Sequence, residues 1–149
     1  MLNTILVPLD GSKQAEAILS YVENAARSNG AKVIFLKVEE EPLMLEWDEV
    51  VDLSSCLSAW GRREKRTQSY LAARKQEFRN KGIGAHIQVA YGPVIKSILS
   101  AAETVHADLI AMASHGMNGG HRMPYGSVAA GVLERADRPL LLVRSADNN

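Results

Sequence analysis

Cysteine is almost absent from this 149-residue chain: Cys56 stands alone, so there is no internal disulfide, no zinc knuckle and no dithiol redox pair. A chain of this length buries roughly 68–70% of the surface its unfolded form exposes, and one hydrophobic core then suffices without such staples. Excess charge is missing too, since 17 Lys and Arg stand against 17 Asp and Glu. Proteins that grip nucleic-acid backbones or anionic lipid carry a marked basic excess, so neither nucleic acid nor a membrane is an expected partner. No apolar run approaches the ~18 residues that a spanning helix needs. The start Met1-Leu2-Asn3-Thr4 has neither the basic residues nor the small-residue cleavage site of a secretory signal. The expectation is one cytoplasmic domain, residues 1–149, in a reducing compartment.

What is present is a rhythm of short apolar runs and helical stripes. Ile5-Leu6-Val7, Val33-Ile34-Phe35-Leu36, Leu109-Ile110-Ala111-Met112 and Leu140-Leu141-Leu142-Val143 are apolar on both faces, as parallel strands covered by helices are. The segment from Ala85 to Ala90 alternates, with Ala85, Ile87 and Val89 opposite His86 and Gln88, and suits a strand nearer an edge. Ala15, Ile18, Leu19, Val22, Ala25 and Ala26 form one helical stripe that Asn29-Gly30 stops. Pro93 opens a second stripe of Ile95, Ile98, Leu99, Ala102 and Val105, and Ser127 opens a third of Val128, Val132, Leu133 and Ala136.

The stretch from Glu39 to Ser55 is acidic and reads as a flexible entry, and the segment from Glu39 to Trp60 is open to three readings, a mobile lid, an interface or a plain linker, of which the linker is preferred. Past Ser55 the residues Leu57, Trp60, Thr67, Leu71 and Phe78 mark a long, largely solvated helix ended by Lys81-Gly82. Its basic group Arg62, Arg63, Lys65 and Arg66 encloses Glu64 and reads as a solvated face. Strand and helix therefore alternate along the chain. That alternation predicts an α/β fold, an open doubly wound five-stranded parallel sheet with helices on both faces, Rossmann-like, in the spatial order 3-2-1-4-5. Such an order reverses direction between the first and fourth strands, and ligands bind outside the strand carboxyl ends at that switch point.

Two segments fall there. Pro8-Leu9-Asp10-Gly11-Ser12 places a carboxylate at the end of the first strand, a glycine in the turn and a capping hydroxyl after it. Asp10 is then either a turn residue or a ligand group, accepting hydrogen bonds from ribose hydroxyls or holding a hydrated metal. After the fourth strand, Ala113 to Val128 contains Gly116, Gly119, Gly120 and Gly126, and Gly126-Ser127 stands at a helix N-terminus. Backbone amides, a hydroxyl and the positive end of the helix dipole make that place receptive to phosphate. The segment has no Gly-Lys-Ser/Thr ending and does not follow the first strand, so it is neither a P-loop nor the dinucleotide fingerprint. The first turn lacks a Ser/Thr-rich cradle of flavodoxin type, and Tyr91-Gly92-Pro93 stands where a receiver domain would carry its phosphorylated aspartate. No Ser-His-Asp grouping, metal-ligand spacing or paired carboxylates falls at the switch point. His115 reads as a hydrogen-bonding or packing residue, and His86 and His106 lie away from the site.

Together, Ile5-Leu6-Val7-Pro8-Leu9-Asp10-Gly11-Ser12, Val38, Met112-Ala113-Ser114-His115-Gly116, Gly126-Ser127-Val128 and Arg138-Pro139-Leu140-Leu141-Leu142-Val143 resemble the universal stress protein family over essentially the whole chain. The family's ATP-binding branch has the pattern Gly, two residues, Gly, nine residues, Gly, Ser or Thr. Gly116, the nine residues 117 to 125, Gly126 and Ser127 match it, whereas Ala113 replaces the first glycine. A methyl facing the nucleotide in a tight pocket would cost on the order of 1–3 kcal/mol, and close to nothing if it points into the sheet.

The resemblance implies ATP, or another adenine nucleotide, with Mg2+ or Mn2+. Pro8 and Asp10 would border adenine and ribose, and Val38 would offer backbone groups to the adenine edge. Met112, Ala113 and Gly116 would line the ribose and first phosphates, and Gly126, Ser127 and Val128 would hold the outer ones. His121 and Arg122, on the glycine-flanked loop, are further phosphate candidates. The last strand has no charge between Leu140 and Val143 to prevent edge pairing, and the resemblance likewise implies a homodimer built across Leu140, Leu141, Leu142 and Val143. The leading expectation is a stress-response regulator with ATP as its ligand and at most weak ATPase activity. The alternatives are a nucleotide-free dimerisation module, motivated by Ala113, and a slow adenine-nucleotide hydrolase or adenylyl-transfer enzyme.

Overall fold

A computed structural model describes residues 2–40, 53–115 and 125–145, with backbone alone for 53–56. The apolar runs become β1 (Thr4–Pro8), β2 (Lys32–Glu39), β4 (Leu109–Ala113) and β5 (Leu140–Val143), and the alternating segment becomes β3 (Ala85–Tyr91). All pair in parallel in one sheet of order β3-β2-β1-β4-β5, as the strand and helix alternation predicts. A 3-10 turn, Ala15–Ile18, leads into α1 (Leu19–Asn29), and α2 (Leu53–Asn80), α3 (Val94–Thr104) and α4 (Ser127–Arg135) follow.

Side chains alternate along each strand, so the sheet feeds two cores. Ile5, Val7, Val33, Phe35 and Ala111 meet Val22 and Ala26 of α1 and Leu71 and Phe78 of α2. Phe35 and Phe78 stand edge to face with ring centres 4.9 Å apart. On the other face Leu6, Ile34, Leu36, Ile110 and Met112 meet Ile98, Ala101 and Ala102 of α3 and Ala129 and Val132 of α4. Each large apolar side chain so buried contributes roughly 1.5–3 kcal/mol. β5, at one edge, is only half-buried at all four residues.

Local chemistry sets the ends of the helices. Gly30 ends α1 in the left-handed region at φ 66°. His106 adopts φ 53° just beyond α3, while Arg138 Nη1 donates to the carbonyls of Ala102, in α3, and Ala107, in the turn that follows it, at 2.8 and 3.1 Å. Helix α2 starts earlier than its apolar stripe suggests, and its exposed Arg62, Arg63, Lys65 and Arg66 form the expected solvated face.

One expectation is corrected. Glu39 does not begin a flexible linker: it is the last residue of β2, 8% exposed. Its carboxylate accepts from Lys37 Nζ and from the Thr67 hydroxyl of α2, and Lys37 Nζ also lies 3.1 Å from Thr67 Oγ1. An acidic run is solvated by default, but one carboxylate with two buried donors is stable inside. Residues 41–52, the rest of that acidic stretch, lie outside the described residues.

Candidate functional site

The carboxyl ends of β1, β2 and β4 share one edge of the sheet. β1 stops at Pro8, opposite Leu36, and the Leu9 N–H donates to the Leu36 carbonyl at 2.8 Å. Gly11 then turns the chain at φ 89°, a left-handed value that other residues rarely hold. Asp10 Oδ1 accepts the Ser12 N–H at 2.9 Å together with the Ser12 hydroxyl. Ser12 Oγ in turn accepts the Ala15 N–H at 3.1 Å and caps the helical segment. The turn-and-cap chemistry of Asp10 and Ser12 is thus realised, with the half-buried carboxylate of Asp10 held at the end of β1.

β2 runs three residues past the end of β1. The Leu36 carbonyl points toward β1, where Leu9 meets it, and the Glu39 carbonyl points the other way, where the Gly92 N–H meets it at 3.0 Å. Backbone groups alternate sides along a strand, so the N–H and C=O of Val38 aim to the β1 side, beyond the point where β1 ends. Its side chain packs with the α3 core. The Lys37–Glu39–Thr67 cluster fixes this overhang to α2. Burial works against the Glu39 charge, but the Lys37 and Thr67 hydrogen bonds and the Lys37 charge outweigh it and hold its pKa below the ordinary value.

β4 leaves the sheet through Ser114, which is 2% exposed and fully engaged. Its N–H donates to the Val143 carbonyl at 2.7 Å, its carbonyl accepts the Gly126 N–H at 2.7 Å, and its hydroxyl oxygen accepts the Ser145 N–H at 3.1 Å. His115 Nδ1 lies 3.1 Å from the same hydroxyl, so His115 has the hydrogen-bonding role expected of it. Ser145 Oγ accepts the His115 N–H at 3.1 Å and lies 3.0 and 3.2 Å from the carbonyls of His115 and Gln14.

Gly126 is the residue before α4 and departs from expectation in one respect. Its N–H is spent on Ser114 rather than open to a ligand. A side chain there would bring Cβ to 3.2 Å from the Ser114 oxygen and 3.6 Å from His115 Cα. Among the described residues no side chain caps helix α4, and the N–H groups of its first turn, Ser127, Val128 and Ala129, have no acceptor within the helix. Ser127 is exposed and Val128 partly buried.

Met112 and Ala113 are both 6% exposed. Met112 belongs to the core under α3 and α4. Ala113 shares parity with Leu109 and Ala111, so its methyl lies on the opposite face, against which α1 and its 3-10 turn pack. Pro8 is half-buried beside Leu36. Gly116, His121 and Arg122 lie outside the described residues. Among those described, no group of three His, Cys, Asp or Glu side chains is arranged to hold a metal ion, and no helix is long and apolar enough to cross a membrane.

From the sequence alone Ser145, Gln14 and Lys37 have no assigned role, and Thr67 is placed on the marked stripe of its helix without its hydrogen bond to Glu39. Ser145 and Gln14 carry no local signal, because their roles arise from contacts 30 and 131 residues apart along the chain. A cleft of about 380 Å³ between β3 and α3, lined in part by Gln88, Lys96 and Ser100, lies away from the switch point.

Residues 1–144 match the profile of the universal stress protein family. A universal stress protein of Mycolicibacterium smegmatis is 26% identical over 142 residues, covering 94% of this chain, which spans only 45% of that protein's length. Universal stress protein MJ0577 of Methanocaldococcus jannaschii is 26% identical over 155 residues, covering 97% of this chain and 96% of that one. The solved structure of MJ0577 superimposes with a TM-score of 0.86 at 24% identity, covering 99% of both chains. A universal stress protein in complex with cAMP (TM-score 0.71, 18% identity, 97% and 98% covered) and one from Archaeoglobus fulgidus in complex with dAMP (0.63, 16%, 96% and 98%) share the fold.

Proposed function

The chain belongs to the universal stress protein family, and on that premise we propose that it is a cytoplasmic stress regulator whose ligand is an adenine nucleotide, ATP with Mg2+ or Mn2+, bound at the carboxyl ends of β1, β2 and β4. The observation that carries the reading is the N-terminus of α4. Among the described residues no side chain caps it, and Gly126 anchors it to the residue leaving β4, which leaves three backbone N–H groups and a dipole end for a ligand at the switch point. The residues fit the group. Val38 offers an N–H and a C=O to the adenine edge, Asp10 accepts from the ribose hydroxyls, and Ser127 and Val128 hold the outer phosphates. Gly116 joins them through the family pattern, with His121 and Arg122 as further phosphate contacts. A divalent cation would neutralise phosphate charge there, and Asp10 is the residue that would hold it, through water.

Ala113 does not weigh against this reading. Its methyl lies on the face away from α4, so it takes no space at the helix N-terminus. The adenine ligands of the cAMP and dAMP complexes, proteins of the same fold, support the ligand class. ATP is a ligand here, and any hydrolysis is slow and incidental. The apolar, half-buried edge of β5 pairs antiparallel with that of a second copy; light scattering at micromolar concentration is expected to give a dimer, and a monomer would refute the pairing.

The decisive measurement is melting with Mg-ATP, with Mg-AMP and without nucleotide, together with mass analysis of any small molecule that co-purifies. Ligand at about 100 times its Kd adds about 2.7 kcal/mol, roughly 5–10 °C for a chain of this size. No shift with any adenine nucleotide refutes the reading. Release of AMP and pyrophosphate, or of ADP, over many turnovers would make the protein an enzyme instead.

A further inference from the structure

We propose that Ser145 is a positioning residue, which locks the β4 exit to the β1 exit through one hydroxyl and so presets the crevice for its ligand; the ligand named here rests on the nucleotide reading above. Ser145 lies two residues beyond β5. Its oxygen accepts the His115 N–H at 3.1 Å, and its single proton is shared between the carbonyls of His115 at 3.0 Å and Gln14 at 3.2 Å. Its own N–H donates to the buried Ser114 hydroxyl at 3.1 Å. Three segments distant in sequence therefore meet at one side chain: the turn after β1, the exit of β4 and the end of β5.

Ser114 extends the lock in two directions. Its N–H is held by Val143 of β5 and its carbonyl holds the N–H of Gly126, the residue before α4. The residues after β5 are thus tied to the Gln14 carbonyl in the turn after β1 and, through Ser114, to the N-terminus of α4. Hydroxyls serve as donor and acceptor at once, which is the chemistry this position uses. Alanine removes both capacities and threonine keeps both.

The test compares the full-length wild type with Ser145→Ala and Ser145→Thr. Amide exchange read residue by residue, without nucleotide, is expected to show the His115 N–H exchanging about tenfold faster in Ser145→Ala while the Ile110 core amide is unchanged. The Kd for Mg-ATP is expected to weaken about tenfold, and Ser145→Thr to stay within about threefold of wild type on both measures. Unchanged His115 exchange overturns the lock. Faster exchange with unchanged Mg-ATP affinity overturns its positioning role, and equal acceleration at Ile110 reduces it to general stability. If the wild type takes no adenine nucleotide, the proposed function fails, and the His115 comparison alone decides whether Ser145 joins the two exits.

Discussion

The backbone N–H of Gly126 donates to the carbonyl of Ser114 at 2.7 Å, bolting the start of α4 to the residue that leaves β4. The contact explains the glycine. The family pattern suggests a glycine that opens its own amide to phosphate, whereas here it lets two backbones approach so that the next three amides are presented.

Gly126→Ala tests that approach. The added methyl meets the Ser114 oxygen at 3.2 Å, so either the oxygen or the start of α4 moves by a few tenths of an ångström. The expected outcome is a stability loss of about 1 kcal/mol, or about 2–4 °C in Tm, with several-fold weaker binding of Mg-ATP. An unchanged melt with unchanged affinity would show that the close approach is immaterial.

Ala113→Gly separates a blocked pocket from an open one. With the methyl buried on the α1 side, its removal costs about 1 kcal/mol through a lost contact and a looser strand. Nucleotide affinity is expected to stay within about twofold, as titration calorimetry would read it. A tenfold gain would mean that the methyl obstructs the ligand.

Glu39 sets an acid limit on stability. Its folded pKa lies below the ordinary value of 4.5, so the folded state binds fewer protons than the unfolded one in that range. Its contribution is complete above about pH 4.5 and is lost as pH falls through the lower folded value. Urea unfolding between pH 3 and 7 is expected to give a shallower acid slope for Glu39→Gln, with a loss of about 1–3 kcal/mol at pH 7. Parallel slopes for both proteins would contradict the assignment.

Gly131 and Ile95 mark the crossing of α3 and α4. A Cβ on Gly131 would stand 2.2 Å from Ile95 Cδ1 and 3.0 Å from its Cγ1. Overpacking of about 1–3 kcal/mol opposes the gain of about 1 kcal/mol in helix propensity. Gly131→Ala is therefore expected to destabilise in wild type and to stabilise, or be neutral, beside Ile95→Val, which removes the offending methyl. Additive effects in the double-mutant cycle would rule out the clash.

Much of the architecture was legible because period is a local property. The four apolar runs, the alternation at Ile87 and Val89, and the stripes ending at Gly30 and opening at Pro93 and Ser127 each carry their element in a few neighbouring residues. The strand order followed, since an alternating strand suits an edge. Pro8, Asp10, Val38 and Gly126 came from motif and resemblance, and the structure brings the segments bearing them to one end of the sheet. Glu39 was misread because charge in a polar run says nothing of donors waiting on another element: Thr67 is 28 residues away.

By itself, then, the sequence determined the elements, the order of the sheet and the family pattern, because apolar period, turn residues and glycine spacing act within a few residues of one another. Tertiary structure alone decided which groups meet at the carboxyl ends of β1, β2 and β4. Val38 presents its backbone there because β1 ends opposite Leu36, two residues earlier in β2; Ala113 turns its methyl away because strand parity puts it with Ala111; Ser145 reaches His115 because β5 lies against β4. Register and strand adjacency set these relations, and both arise only when distant segments pair.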